Sequence, residues 1–152
     1  MKTSTLKPSA PRWLMINAEG QSLGRIATTV SVLLRGKNRE YFSPHQVYGD
    51  HVIILHAEKL AFPEKKWHRK VYYKHTGHTG HLKRKTLQEA FEKSPQWVIE
   101  HAVKGMLPAN RLRAVMLKRL HIFEGAEHTF APQKPQNVLL EGKGLITIES
   151  TL

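Results

Sequence analysis

The sequence contains no cysteine. It therefore offers no thiolate for a metal, no thiol nucleophile and no disulfide framework of the kind that staples small secreted proteins; a reducing, intracellular setting is the expectation. Long apolar runs are missing too. A stretch such as Val52-Ile53-Ile54-Leu55 falls far below the ~20 residues that span a bilayer, so nothing in the sequence reads as a membrane span. The opening MKTSTLKPSAPR lacks a hydrophobic region and a small-residue cleavage pattern, and its one arginine makes a poor transit peptide. Residues 1–11 read as a flexible leader. Acidic side chains are scarce as well, 12 Asp and Glu in 152 residues against 24 Lys and Arg.

What is present in excess is positive charge, a net +12 with an isoelectric point near 10.1. An excess of this size implies a polyanionic partner. Its distribution says more. Residues 1–64 carry 8 basic and 5 acidic side chains, residues 65–119 carry 14 and 3, and residues 120–152 carry 2 and 4. Charge that served only solubility would have little reason to gather in the middle third, whereas a face docked on phosphates would need it there. Nucleic acid is the expected partner. A membrane surface is disfavoured because no amphipathic basic helix with a lipid anchor occurs.

The length suits one domain, which at this size buries about two-thirds of the surface its unfolded chain exposes. Trp13 to Ala18 reads as a buried strand turned by Glu19-Gly20-Gln21. A helix is expected from Ser22 as N-cap, because Leu23, Ile26, Ala27, Val30, Leu33 and Leu34 recur at helical spacing, with Gly36 as its stop. His51 to Ala57 is a second strand. Strand, helix, strand predicts a βαβ crossover and a partly parallel sheet covered by helices. Further on, Lys70 to Tyr73 reads as a strand. Thr86-Leu87-Gln88-Glu89 is a capping box that opens a short helix, and Ser94-Pro95 opens another that runs to Gly105. A last helix is expected over about Ala109 to Leu120, then a short strand from Leu120 to Phe123 and an extended tail. Asp50 and Glu58, near strand ends, suit capping or ion pairing.

Residues 72–85, YYKHTGHTGHLKRK, pose the central question. His75, His78 and His81 could supply three zinc ligands, but Lys74, Lys83, Arg84 and Lys85 raise the local potential and residues 65–88 hold no carboxylate. Metal is disfavoured. As a phosphate-binding loop the same residues fit better: Gly77 and Gly80 admit close approach and an anion-binding nest, Thr76, Thr79 and the histidines donate hydrogen bonds, and the flanking cations neutralise charge. Tyr72 and Tyr73 offer rings for an unpaired base, though alternation on a strand turns one of them inward. A solvated loop without contacts of its own is the remaining alternative. An enzyme is disfavoured: Gly20 and Gly24 fall short of a dinucleotide fingerprint, and no Walker motif, G-x-S-x-G or H-E-x-x-H occurs. No cofactor, metal or small-molecule substrate is expected. A free nucleic-acid-binding regulator and a nucleotide-using enzyme are the competing classes.

Several segments together resemble one family. Trp13, Asn17 to Ala27, Leu34-Arg35-Gly36-Lys37 and Gly49 to Ile53, then Lys70 to Gly77, Ala102 to Pro108, Gly125-Ala126-Glu127-His128 and Gln133 to Gln136 are similar, in order, to the thirteenth protein of the large ribosomal subunit in its bacterial form. The chain departs from that pattern at His78 to His81 and at Ala109 to Ala114. The resemblance implies a three-layer α/β/α domain over residues 12–137 with a small, mostly parallel central sheet, a basic loop and an extended C-terminal tail over 138–152. It further implies a non-catalytic constituent that binds large-subunit ribosomal RNA beside neighbouring ribosomal proteins and joins early in assembly. The setting implied is a cytoplasmic ribosome rather than an organellar one. The RNA-binding residues expected are Arg25 and Lys37 near the first helix, and Lys66, Arg69, Lys70, Lys74, His75, Thr76, His78, Lys83, Arg84 and Lys85 in the basic middle. Lys104, Arg111, Arg113, Lys118 and Arg119 complete the set.

Overall fold

A computed structural model of the chain describes residues 10–40, 42–140 and 146–148, with Leu140 and Ile146–Ile148 described by their backbone alone. Most of the expected leader therefore lies outside the described residues. The crossover is built by β1 (Trp13–Asn17), α1 (Leu23–Arg35) and β2 (His51–Leu55), with β1 and β2 parallel and Leu14 beside Val52, Ile16 beside Ile54. There follow α2 (Glu64–Arg69), β3 (Val71–His75), β4 (Leu82–Thr86), α3 (Leu87–Lys93), α4 (Pro95–Met106) and α5 (Leu112–Leu117). The chain then rejoins the sheet as β5 (Leu120–Ile122), β6 (Gln136–Leu140) and β7 (Ile146–Ile148). The order is β5-β2-β1-β6-β7, parallel throughout except for β7 against β6.

Alternation along the strands sorts the two faces of the sheet. Leu14, Ile16, Val52, Ile54 and Val138 share one core with Ile26, Ala27, Val30, Leu33 and Leu34 of α1, Ile99 and Val103 of α4 and Met116 of α5. Ile53 is fully buried as well but points the other way, which is why β2 reads as an unbroken apolar run rather than an alternating one. The fold is α/β in three layers. Across the second face the covering layer is slight, a segment carrying Phe123 and Phe130 that ends in the 3₁₀ turn Ala131–Gln133.

The end of α1 is locked to the loop that enters β2. Gly36, at φ 74°, closes the helix with its N–H on the Leu33 carbonyl, and Lys37 donates to Val32, a left-handed stop that suits glycine. Asp50 N–H reaches the same Leu33 carbonyl at 3.2 Å. Gly49 lies so close that a Cβ there would sit 1.8 Å from the Leu34 carbonyl oxygen. Next to it the Asp50 carboxylate, 0% exposed, accepts the Arg12 backbone N–H at 2.8 Å and pairs with the Arg39 guanidinium. Ser22 holds the N-cap position without a side-chain hydrogen bond; its neighbour Gln21 instead accepts the Ala61 N–H at 3.0 Å.

On the second face Trp13 stacks on His51 at 4.2 Å, His51 lies 5.8 Å from His121, and His121 lies 4.4 Å from Phe130. His51 Nδ1 and His121 Nε2 are buried without a hydrogen-bond partner among the described residues. Burial lowers the pKa of both imidazoles; for His51, Arg119 and His121 add to the lowering and Asp50 opposes it. The unfolded chain therefore takes up protons first. Stability is expected to be full above about pH 6.5, the ordinary histidine value, and to drain away as pH falls toward the lower folded values. Urea midpoints measured from pH 7.5 down to 5.5 check this. His121→Phe should flatten the profile, and an unchanged slope would assign it elsewhere.

Beside the sheet stands a smaller unit. β3 and β4 form an antiparallel hairpin, with Tyr72 opposite Lys85, Tyr73 opposite Arg84 and Lys74 opposite Lys83. Leu87, Ala90 and Val98 pack there with Phe62, Trp67, Tyr72 and Phe91. The capping box forms as expected, Glu89 N–H to Thr86 Oγ1 and Thr86 N–H to Glu89 Oε2, both 3.2 Å. Three expectations need correcting, and one element, α2, is additional. Lys83 to Lys85 are strand residues, because pairing with β3 overrides their polar composition. α2 was not foreseen, its six residues EKKWHR holding one large apolar side chain. α5 starts at Leu112 rather than Ala109, since Asn110 forms a turn whose side-chain oxygen accepts the Arg113 N–H at 3.2 Å, and it ends at Leu117, leaving Leu120 to β5. The segment read as an extended tail enters the sheet, with Val138 buried at 4% exposure.

Candidate nucleic-acid interface

The hairpin gathers the charge that the sequence concentrates in its middle third. Its inner face carries Tyr72, Lys74, Lys83 and Lys85, and its outer face carries Tyr73, Arg84, His75 and Leu82. Tyr72 is half-buried and burial raises its phenol pKa, so it stays a neutral hydrogen-bond donor. Tyr73 is 63% exposed. The tyrosines divide as strand alternation requires.

The connecting loop closes on itself. Gly77 and Gly80 adopt φ of 90° and 78°, and the Gly77 N–H donates to His75 Nδ1 at 3.0 Å while the His81 N–H donates to the His78 carbonyl at 3.2 Å. Two backbone donors of the expected nest are thus engaged within the turn, while the side chains of Thr76, His78, Lys74 and Lys83 stay exposed. The His78 and His81 rings are 5.9 Å apart. Among the described residues no three His, Asp or Glu side chains come together as a metal site would need.

A groove of about 570 Å³ runs between the inner hairpin face and α4. Lys74, Lys83 and Lys85 line it from the inner face of the hairpin, the outer-facing Tyr73 and Arg84 border it as well, and Lys104 lines it from the helix, with no carboxylate among the lining residues. Lys66 and Lys70 stand together along an adjoining cleft of about 500 Å³ that reaches Ser22 and Leu23 at the start of α1. Arg69, at the end of α2, is exposed beside them in sequence.

The other expected residues are spread wider. Arg25, Lys37, Arg111 and Lys118 are exposed but do not line the groove. Arg113 is turned onto its own chain, donating to the carbonyls of Pro108 at 2.9 Å and Leu107 at 3.2 Å. Arg119 donates to the Gly49 carbonyl. Both brace the fold. Sequence reasoning missed Trp97 and His101, which line the groove from α4; the signal was there, since Trp97, His101 and Lys104 recur at helical spacing on the side away from Val98, Ile99 and Val103.

Comparison with known proteins matches residues 11–129 to the family model described as ribosomal protein L13. The chain belongs to the ribosomal protein L13 family. The match takes in every element from β1 to β5, and with them the hairpin and the groove. Curated relatives named large ribosomal subunit protein uL13 agree along most of their length. One from Clostridioides difficile is 45% identical over 90% of this chain and 96% of its own, one from Bifidobacterium longum 49% over 90% and 92%, and one from Bacillus cereus 46% over 86% and 90%. The family is that expected from the motifs, in its bacterial form. As an L13-family chain the protein is a ribosomal component and not an enzyme.

Proposed function

We propose that this chain is a structural constituent of the large ribosomal subunit that binds ribosomal RNA through its basic middle region and supports early subunit assembly, hence translation, in the cytoplasm. The observation that carries the reading is the hairpin, whose cations share one groove with Lys104 and with no acid. Lys74 stands directly opposite Lys83, and like charges so placed repel, so the arrangement costs stability in the free protein and gains when a polyanion neutralises it. RNA phosphates supply that neutralisation. Neighbouring large-subunit proteins complete the setting; no small-molecule substrate or membrane enters it.

Replacing Lys83, Arg84 and Lys85 together by alanine is expected to weaken binding to large-subunit RNA whatever its sequence, and to shallow the salt dependence by up to about 0.9 in log–log slope for each phosphate no longer neutralised. Filter binding across a salt series measures both. An unchanged slope would move the RNA-facing surface toward Arg111 and Lys118. Sedimentation of a lysate should place the chain with the large subunit at moderate and high salt; migration at the top of the gradient would favour a free regulator.

A further inference from the structure

The exposed face of α4 has no task in the core. Val98, Ile99 and Val103 supply that helix's buried side, while Trp97, 38% exposed, and His101 present two rings 5.0 Å apart to the groove, with Lys104 one turn further on. From the hairpin side Tyr72 meets both edge-on, at 5.1 Å and 5.2 Å. Lys85 Nζ lies 5.4 Å from the Trp97 ring centroid. Three rings and a cation thus converge where Lys74 and Lys83 add charge and no carboxylate answers it.

Phosphate binding alone accounts for the lysines but not for the rings. The backbone of a duplex takes cations and hydrogen-bond donors, but its paired and stacked bases offer no free face to an indole. A single-stranded nucleotide uses both, since its base stacks on π faces and its flanking phosphates take the cations. The volume agrees. At about 570 Å³ the groove lies in the range of sites that take molecules of nucleotide size.

We infer that the groove between the β3–β4 hairpin and α4 captures one unpaired RNA base, stacked on Trp97, with its adjoining phosphates held by Lys83, Lys85 and Lys104. On entry the base takes the place of the Lys85 ammonium over the indole, and that ammonium turns to the neighbouring phosphate. His101 and Tyr72 wall the stack and donate hydrogen bonds to the base edge or ribose. This deepens the RNA-binding reading and rests on it.

The test compares a short oligoadenylate with a blunt A-form duplex of equal length, using the full chain. Trp97→Ala should weaken binding to the single strand by about five- to 150-fold, leave the duplex within about twofold, and leave the salt slopes unchanged. Trp97→Phe, which keeps a π face, should restore most of the loss. Oligoadenylate should quench indole fluorescence in the parent chain and less in Trp97→Phe. Equal weakening on both RNAs, or none on either, would overturn the base site. Lys83→Ala with Lys85→Ala separates the two readings: if that variant weakens both RNAs while Trp97→Ala changes neither, the base site falls and RNA binding stands. If neither RNA binds the parent chain, both fall.

Discussion

Gly49→Ala is expected to cost on the order of 3 kcal/mol or more, among the largest effects any single methyl group can have in this chain. The added carbon would lie 1.8 Å from the Leu34 carbonyl oxygen and 2.4 Å from its carbon, both backbone atoms that no rotamer change can move. Relief requires lifting the loop off the last turn of α1, which also breaks the 3.2 Å bond from Asp50 N–H to Leu33 and disturbs the carbonyl that receives Arg119. Small domains are stable by about 5–15 kcal/mol, so the variant should show a sharply lower urea midpoint or fail to accumulate folded. Gly105→Ala is the control. Nothing lies within 4 Å of a Cβ there, and exchanging a helical glycine for alanine should stabilise by about 0.5–1 kcal/mol. Equal midpoints for the two variants would show that the loop yields freely.

Asp50→Ala should cost about 3–5 kcal/mol, as removal of one partner from a buried ion pair does. The carboxylate is fully buried, and it joins three separate pieces of chain: Arg12 before β1, Arg39 after α1 and its own loop before β2. Alanine leaves the Arg39 guanidinium without that counter-charge in a place water scarcely reaches. Asp50→Asn keeps an oxygen for the Arg12 N–H and should fall between parent and alanine. Because the pair is buried, the loss should persist in high salt, where surface pairs are screened. Denaturation in low and high salt measures this, and a loss that vanished in salt would return Asp50 to the class of surface pairs. Gly49 and Asp50 act on one junction, so their double variant should cost less than the sum.

What could be read from the sequence was whatever writes itself in spacing. The α1 stripe from Leu23 to Leu34, the parallel strands on either side, the Thr86 capping box and the Ser94-Pro95 start each depend on a local pattern, and each stands where that pattern put it. What was not legible depends on partners far along the chain. Leu82 to Thr86 looks like a charged loop until β3 lies beside it, and Gln136 to Leu140 looks like a tail until β1 offers an open edge. The site divides in the same way. Charge counting pointed to Lys83 to Lys85 and Lys104, which line the groove, but it could not show that Arg113 and Arg119 turn back on backbone carbonyls, nor that Trp97 and His101 face the lysines across it.

The place of β6 also bears on the order in which the chain can assemble. Its Gln136 pairs with Leu14 of β1, so the central strand gains its second neighbour only after nearly all the intervening chain has been made and arranged. Pairings of such wide sequence separation carry a large loop-closure cost and form late. The hairpin and its capped helix, held by contacts between near neighbours, can assemble first. The basic surface therefore rests on pairings between near neighbours, whereas the sheet is completed by the long-range pairing of β6 with β1.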